Sequence, residues 1–199
     1  AGTPGISDPG EELVKMAYEA GIEVTSLPGA CACVTALTLS GLSTRRFVFE
    51  AFLPPDKKEH KLALERLKNE TRTMIVYEAP HHLLKTLREL LETLGNRRLT
   101  LCRELTKKHE TAWQTTIEDA ITRYEQEDPK GECVLVIEGR SQKEIEDEAK
   151  AAFEEISIEE HMKRYEDQGI ARKEAMKLVA KDRGVTKSCL LYTSPSPRD

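Results

Sequence analysis

Short apolar runs alternate with longer amphipathic stretches along most of this chain, and that alternation limits the fold more than any other feature. The apolar runs are Phe47–Leu53, Thr73–Tyr77, Arg98–Cys102 and Cys133–Ile137. Each is short and rich in β-branched or aromatic residues, as a buried strand requires. Between them, residues 56–69, 81–94 and 117–126 carry apolar residues at helical spacing. The clearest stripe is Leu83, Leu84, Leu87, Leu90, Leu91 and Leu94, which marks a core-facing helix face. Upstream, the pattern predicts a helix over 11–20 closed by Gly21, a strand over 22–27, a Pro28-Gly29 turn, and a small-residue helix over 30–40 closed by Gly41. Residues 110–115 read as an edge strand. Strands separated by helices imply α/β layers rather than a bundle or a sandwich.

Composition narrows the function classes. The chain has 199 residues, a net charge of −5 and 33% charged residues. An acidic balance of this kind excludes a wholly basic nucleic-acid coat but leaves room for a local basic face. No apolar run approaches the ~20 residues of a membrane span, so neither a membrane partner nor a membrane location is expected. Cys31, Cys33, Cys102, Cys133 and Cys189 lack the spacing of a zinc site, and they read as small buried hydrophobes in a reducing, cytoplasmic setting. No metal is expected.

The ends read differently from the middle. Ala1-Gly-Thr-Pro-Gly-Ile-Ser-Asp-Pro-Gly is a loop of the kind that follows a strand, so a preceding segment is expected. From Ser141 the composition shifts to Glu, Lys and Ala. Residues 141–156 read as a linker, and residues 157–188 as a helix-turn-helix-like appendix. Its helices are expected over 158–168 and 171–183, with Gly169 between them and Thr186 as N-cap of a third. Residues 189–199 resemble a translated sequencing adapter. They are expected to be disordered and outside the fold.

Six short loops sit at the ends of these elements: Ala1-Gly-Thr-Pro4, Leu27-Pro-Gly-Ala-Cys31, Phe52-Leu-Pro54, Tyr77-Glu-Ala-Pro-His81, Arg103-Glu-Leu-Thr-Lys107 and Lys130-Gly-Glu132. Singly they are weak signals. In this order they resemble the bacterial small-subunit ribosomal RNA methyltransferases of the tetrapyrrole-methylase superfamily, the class III S-adenosylmethionine-dependent methyltransferases. The resemblance runs from Ala1 to Ser188. It implies a two-domain α/β fold with the first domain incomplete: residues 1–44 would be the remainder of that domain, and residues 45–140 the second. It also implies 2′-O-methylation of a cytidine in 16S ribosomal RNA of the small subunit. The fragment by itself is then expected to be inactive, because the family's first strand and its Gly-rich loop are not in it. A homodimer is compatible with the resemblance, since dimers are common in the superfamily.

The same resemblance assigns residues. Gly2, Thr3 and Pro4, then Gly29, Ala30, Cys31 and Ala32, would hold the methyl donor, joined by Tyr77, Glu78, Gly131 and Glu132. Close approach of backbone N–H groups at Gly-containing loops suits such a ligand. Phe52, Leu53 and Pro54 beside Lys57, Lys58 and Lys61, with Arg103 and Lys107 at another strand end, would meet RNA, since phosphate neutralisation needs clustered cations. Blander readings stand beside these. The lysines also suit a solvated helix start, Arg103–Glu104 a structural ion pair, and Trp113 a half-buried edge-strand residue rather than a base-stacking platform. His81 suits a helix cap as well as a cleft residue, and His109 and His161 read as surface residues. No catalytic base is identified. The alternatives for the whole are a methylase of a small tetrapyrrole-type molecule and a non-catalytic RNA- or ribosome-binding module.

Overall fold

The computed structural model describes residues 3–154 and 156–186. The chain divides into two compact units, residues 1–140 and residues 141–199. The first is built on a five-stranded mixed sheet of β1 (Phe47–Phe52), β2 (Thr73–Glu78), β3 (Arg98–Arg103), β4 (Thr111–Thr116) and β5 (Cys133–Ile137). The strand order is β1-β2-β5-β3-β4. β1 and β2 are parallel, and the other three pairings are antiparallel.

Both faces of the sheet are covered. Alternate residues of a strand point to opposite sides, and each side has its own helical layer. Met74 and Val76 of β2, Leu99 and Leu101 of β3, and Leu135 and Ile137 of β5 pack under α3 (Lys57–Lys68), α4 (Leu83–Leu94) and α5 (Ile117–Tyr124). The Leu stripe of α4 is the main contributor, with Leu83, Leu87 and Leu90 fully buried. Burying one such side chain stabilises by roughly 1.5–3 kcal/mol. On the other face, Ile75, Cys102, Val134 and Val136 pack against α2 (Ala32–Ser40) through Cys33, Ala36 and Leu37.

Local chemistry sets the helix ends. The Asp56 carboxylate accepts from the backbone N–H groups of Lys58 and Glu59, both at 3.0 Å. Thr116 Oγ1 accepts from Asp119 N and starts α5. α2 stops at Gly41, whose φ of +70° suits a residue without Cβ.

Two expectations change here. No strand forms over 22–27; the segment is irregular and largely exposed. Its alternating pattern has no partner strand to pair with among the described residues, and an unpaired strand satisfies none of its ladder hydrogen bonds. α1 (Gly10–Glu19), just before it, buries none of its residues. The expected linker is instead mostly a helix, α6 (Gln142–Glu154). Ser141 and Glu144 form a reciprocal cap: Ser141 Oγ accepts from Glu144 N at 3.1 Å, and the Glu144 carboxylate accepts from Ser141 N at 2.7 Å. This is the Ser-x-x-Glu capping box, ahead of a Glu/Ala-rich run of good helix formers.

The second unit continues with α7 (Ile158–Glu166) and α8 (Arg172–Asp182), joined through Gly169 at φ +83°. Met162, Ala175, Val179 and Ala180 form its core. His161, expected on the surface, is 2% exposed. Its ring stacks between Phe153 and Tyr165, because it occupies the inward face of α7 next to Met162. The expected third helix after Thr186 and the tail 189–199 lie outside the described residues. Among the described residues no helix is long and apolar enough to cross a membrane.

Candidate functional site

Strand register gathers four of the singled-out loops at one end of the sheet, and Cys31, packed with Tyr77 and Leu105, brings the loop before α2 to the same end. Phe52 at the end of β1 pairs with Tyr77, and Glu78 pairs with Cys133. Arg103 pairs with Cys133 on one side and with Thr111 on the other. The ends of β1, β2 and β3 therefore lie beside the starts of β5 and β4. The backbone is unusual here as well. Ala51, Glu104 and Thr106 adopt positive φ without being glycine, and Ala51 follows a bulge in β1. Such conformations cost about 1–3 kcal/mol each and concentrate at functional sites.

The sheet splits this end into two sides. On the α2 side, Thr3 N donates to Ala30 O at 2.8 Å, tying the first loop to the second. A Cβ on Gly29 would come 3.0 Å from Thr3 Oγ1, so a side chain at residue 29 would crowd the Thr3 hydroxyl. Ala30 and Ala32 are exposed beside the first turn of α2. Cys31 caps that helix, and its Sγ lies 3.3 Å from Cys33 Sγ. Tyr77 packs edge-on against Phe49 at 5.0 Å and Phe52 at 5.7 Å. Burial pushes the Tyr77 phenol up to about 12, with the Cys33 and Cys31 thiols adding to it. Thr3, Gly29, Ala30, Cys31, Ala32 and Tyr77 thus share one side. Pro4 follows Thr3 in the same loop, and Gly2 lies outside the described residues.

Glu78, assigned above to the donor along with Tyr77, lies on the opposite side. It is 8% exposed. Its two carboxylate oxygens accept from Ala79 N at 2.8 Å and from Thr86 Oγ1 of α4 at 2.6 Å. It lines a cavity of about 890 Å³ between α3 and α4, together with Phe52, Leu53, Pro54, Lys57 and Lys61. Lys58 is not among the residues that line it. The expected apolar residues and lysines meet there, and Glu65, Glu89 and Glu92 line the cavity as well. His60 braces it: one ring nitrogen meets Pro54 O at 3.0 Å and the other meets the Glu89 carboxylate at 2.9 Å. His81 and His82 are exposed and lie ring to ring, at 4.1 Å.

Gly131 and Glu132, assigned above to the donor, are joined to the Arg103–Lys107 loop. Glu132 N donates to Glu104 Oε1 at 3.0 Å, and Glu104 N donates to Glu132 O at 3.1 Å. Lys107 bridges both carboxylates, at 3.1 Å to Glu104 and 3.0 Å to Glu132. This pairing draws the Glu104 carboxyl below its ordinary value and raises the Lys107 ammonium. A Cβ on Gly131 would fall 2.4 Å from the Glu104 side chain. The Arg103–Glu104 ion pair does not form. Arg103 donates instead to Thr111 Oγ1 at 3.2 Å, and Glu104 is taken by Lys107. Glu104 itself was missed as an organising residue, although its motif was visible. Trp113 sits half-buried on the edge strand β4 with the Arg123 guanidinium 4.7 Å from its ring centre. Among the described residues no cluster of three or more His, Cys, Asp or Glu forms a metal site.

A profile described as Tetrapyrrole (Corrin/Porphyrin) Methylases matches residues 1–121. The chain belongs to this family. The chain is also similar to three relatives named ribosomal RNA small subunit methyltransferase I. The one from Halalkalibacterium halodurans is 46% identical over 94% of this chain, that from Synechocystis 45% over 92%, and that from Bacillus subtilis 44% over 94%. The chain spans 64% of the length of each of these relatives. Among solved structures, the methyltransferase CobJ superposes with a TM-score of 0.55, covering 69% of this chain and 62% of that one at 18% identity. The last likeness is one of fold.

Proposed function

We propose that this chain is part of an S-adenosylmethionine-dependent methyltransferase that modifies the 2′-hydroxyl of a cytidine in 16S ribosomal RNA, in the cytoplasm. The convergence of six separated loops on one sheet end carries the reading, supported by the names of the three relatives. In open α/β sheets, ligands lie at such strand ends.

The residues on the α2 side fit a donor with a carboxylate and a flat base. Gly29 leaves the Thr3 hydroxyl uncrowded, while Ala30 and Ala32 leave the first N–H groups of α2 unobstructed. Gly2, Thr3, Pro4, Gly29, Ala30, Cys31, Ala32 and Tyr77 would hold the donor, which supplies the methyl group. Positioning the two reactants accounts for most of the rate in such a transfer, up to about 7–11 kcal/mol. Gly131 and Glu132 act here by fixing the Glu104 and Lys107 loop. Glu78 acts by fixing the start of α4. RNA would meet Phe52, Leu53, Pro54, Lys57, Lys58 and Lys61 on one flank, and Arg103 and Lys107 on the other.

The test joins this chain to the part of the Bacillus subtilis relative that it does not span. The protein is incubated with methyl-labelled donor and small subunits lacking the modification. Label in RNA that disappears with a 2′-deoxy target supports the proposal. Donor binding with no transfer to RNA would replace it with a small-molecule methylase. RNA binding without donor binding would leave a binding module. Charge reversal at Lys57 and Lys61 together should weaken RNA binding and flatten its salt dependence by about two phosphate contacts, leaving donor affinity unchanged.

A further inference from the structure

Four cysteines are described, and three of them are sealed. Cys33, Cys102 and Cys133 are 5%, 0% and 2% exposed. Burial pushes the Cys102 and Cys133 thiols up to about 11 and about 12, and both are free thiols. Cys31 differs. It is half-buried, it sits in extended backbone at the start of α2 (φ −139°, ψ 118°), and its Sγ is 3.3 Å from Cys33 Sγ. The residue between them, Ala32, is small and exposed, and of the two sulfurs it is that of the half-buried Cys31 that solvent reaches.

We propose that Cys31 and Cys33 are an oxidation site, converted by hydrogen peroxide to an intramolecular disulfide. Cys31 is the sulfur that peroxide reaches first. Its sulfur attacks one peroxide oxygen, the O–O bond breaks, and the second oxygen leaves as water, giving a sulfenic acid on Cys31. The Cys33 sulfur then attacks Cys31 Sγ. The S–S bond forms, the S–O bond breaks, and a second water leaves with the Cys33 proton. The two thiols lose two electrons and two protons in all, and the peroxide gains them. The sulfurs close from 3.3 Å to about 2.05 Å. That shift is small enough to be shared by two side-chain rotations. A bond across a single intervening residue removes little chain entropy, so it is readily reduced again, as a reversible modification requires. The proposal goes beyond the donor reading and does not need it, although the pair lies in the loop assigned there to the donor.

The experiment uses the whole chain with Cys189→Ser, which removes the tail thiol as a competing partner. It is treated with equimolar hydrogen peroxide, alkylated in denaturant and digested with trypsin. The peptide Met16–Arg45 holds both residues. It should lose the mass of two hydrogens and take no alkyl group, while Cys102 and Cys133 stay fully alkylated. Dithiothreitol should restore two alkylation sites. In Cys33→Ala the sulfenic acid has no resolving thiol, so dimedone should capture Cys31 about tenfold more than in the parent. Circular dichroism checks that the variant keeps its helices. Sulfinic acid on Cys31 with Cys33 still alkylated, modification of Cys102 or Cys133 first, or no change in any thiol would each overturn the proposal.

Discussion

Gly131→Ala tests whether the Arg103–Lys107 loop is held by the geometry described. Two costs follow from the structure. Residue 131 sits at φ +77°, where an alanine costs about 1–2 kcal/mol. Its Cβ would also lie 2.4 Å from Glu104 Oε1, so the carboxylate must leave. That breaks its bond from Glu132 N, worth about 1 kcal/mol net at a partly exposed position. The Glu104–Lys107 pair adds little, because solvent screens an exposed ion pair. The expected loss is about 2–3 kcal/mol, read from urea unfolding at constant m-value. Glu104→Ala alone should cost about 1 kcal/mol. The double variant is the decisive one. With no Glu104 carboxylate to displace, it should be no worse than Gly131→Ala, so the singles overstate the sum by about 1 kcal/mol. Strict additivity, or a Gly131→Ala loss within about 0.5 kcal/mol of zero, would refute the clamp.

Three further outcomes follow. Thr86→Val keeps side-chain volume but removes the donor to Glu78 Oε2 at 2.6 Å. The buried carboxylate should then cost about 1.5–3 kcal/mol in chemical unfolding, and Thr86→Ser should recover most of it. Arg97→Met removes a guanidinium that is 7% exposed and donates to the Leu94, Glu138 and Lys68 carbonyls. A drop of at least about 2 kcal/mol is expected by the same assay, because the carbonyls lose partners they cannot replace. Burial, together with the nearby Arg183, lowers the His161 pKa from its ordinary 6.5, against the opposing pull of Asp182. The neutral ring is therefore the folded form. Its contribution is complete above about pH 6.5 and is lost as pH falls through the lower folded value. Thermal midpoints of the α6–α8 unit should decline on acidification from near neutrality. His161→Phe, which keeps the stack on Phe153, should flatten that decline.

The parts of the fold that were readable from sequence are those whose signal is local. The Leu stripe of α4 is a periodic pattern and β2 and β5 are continuous apolar runs, and each pattern is the cause of its own burial. Two of the failures have one physical source in common, a partner that lies outside the pattern. Residues 22–27 alternate like a strand but find no neighbour to pair with among the described residues. His161 looks polar, yet the inward side of α7 brings Phe153, Tyr165 and Asp182 around it. The α6 error is different, since the Ser141–Glu144 capping box stood in the sequence and outweighed the linker-like composition.

The site was legible as a set of loops but not as a set of roles, and Tyr77 and Glu78 show why. A strand's period of two sends consecutive residues to opposite faces. The last two residues of β2 therefore cannot serve one pocket on one face, however well they read as a motif. Tyr77 goes to the α2 side with Cys31 and Cys33, and Glu78 goes to the α3–α4 side with Thr86. The same reasoning joins what the sequence had separated. β3 and β5 are antiparallel neighbours, so the end of one must lie beside the start of the other. That places Glu104 against Gly131 and Glu132 across 27 and 28 positions of chain, a contact confirmed by the 3.0 Å bond from Glu132 N. Strand order and direction, more than the motifs themselves, decide which of these residues can act on one ligand.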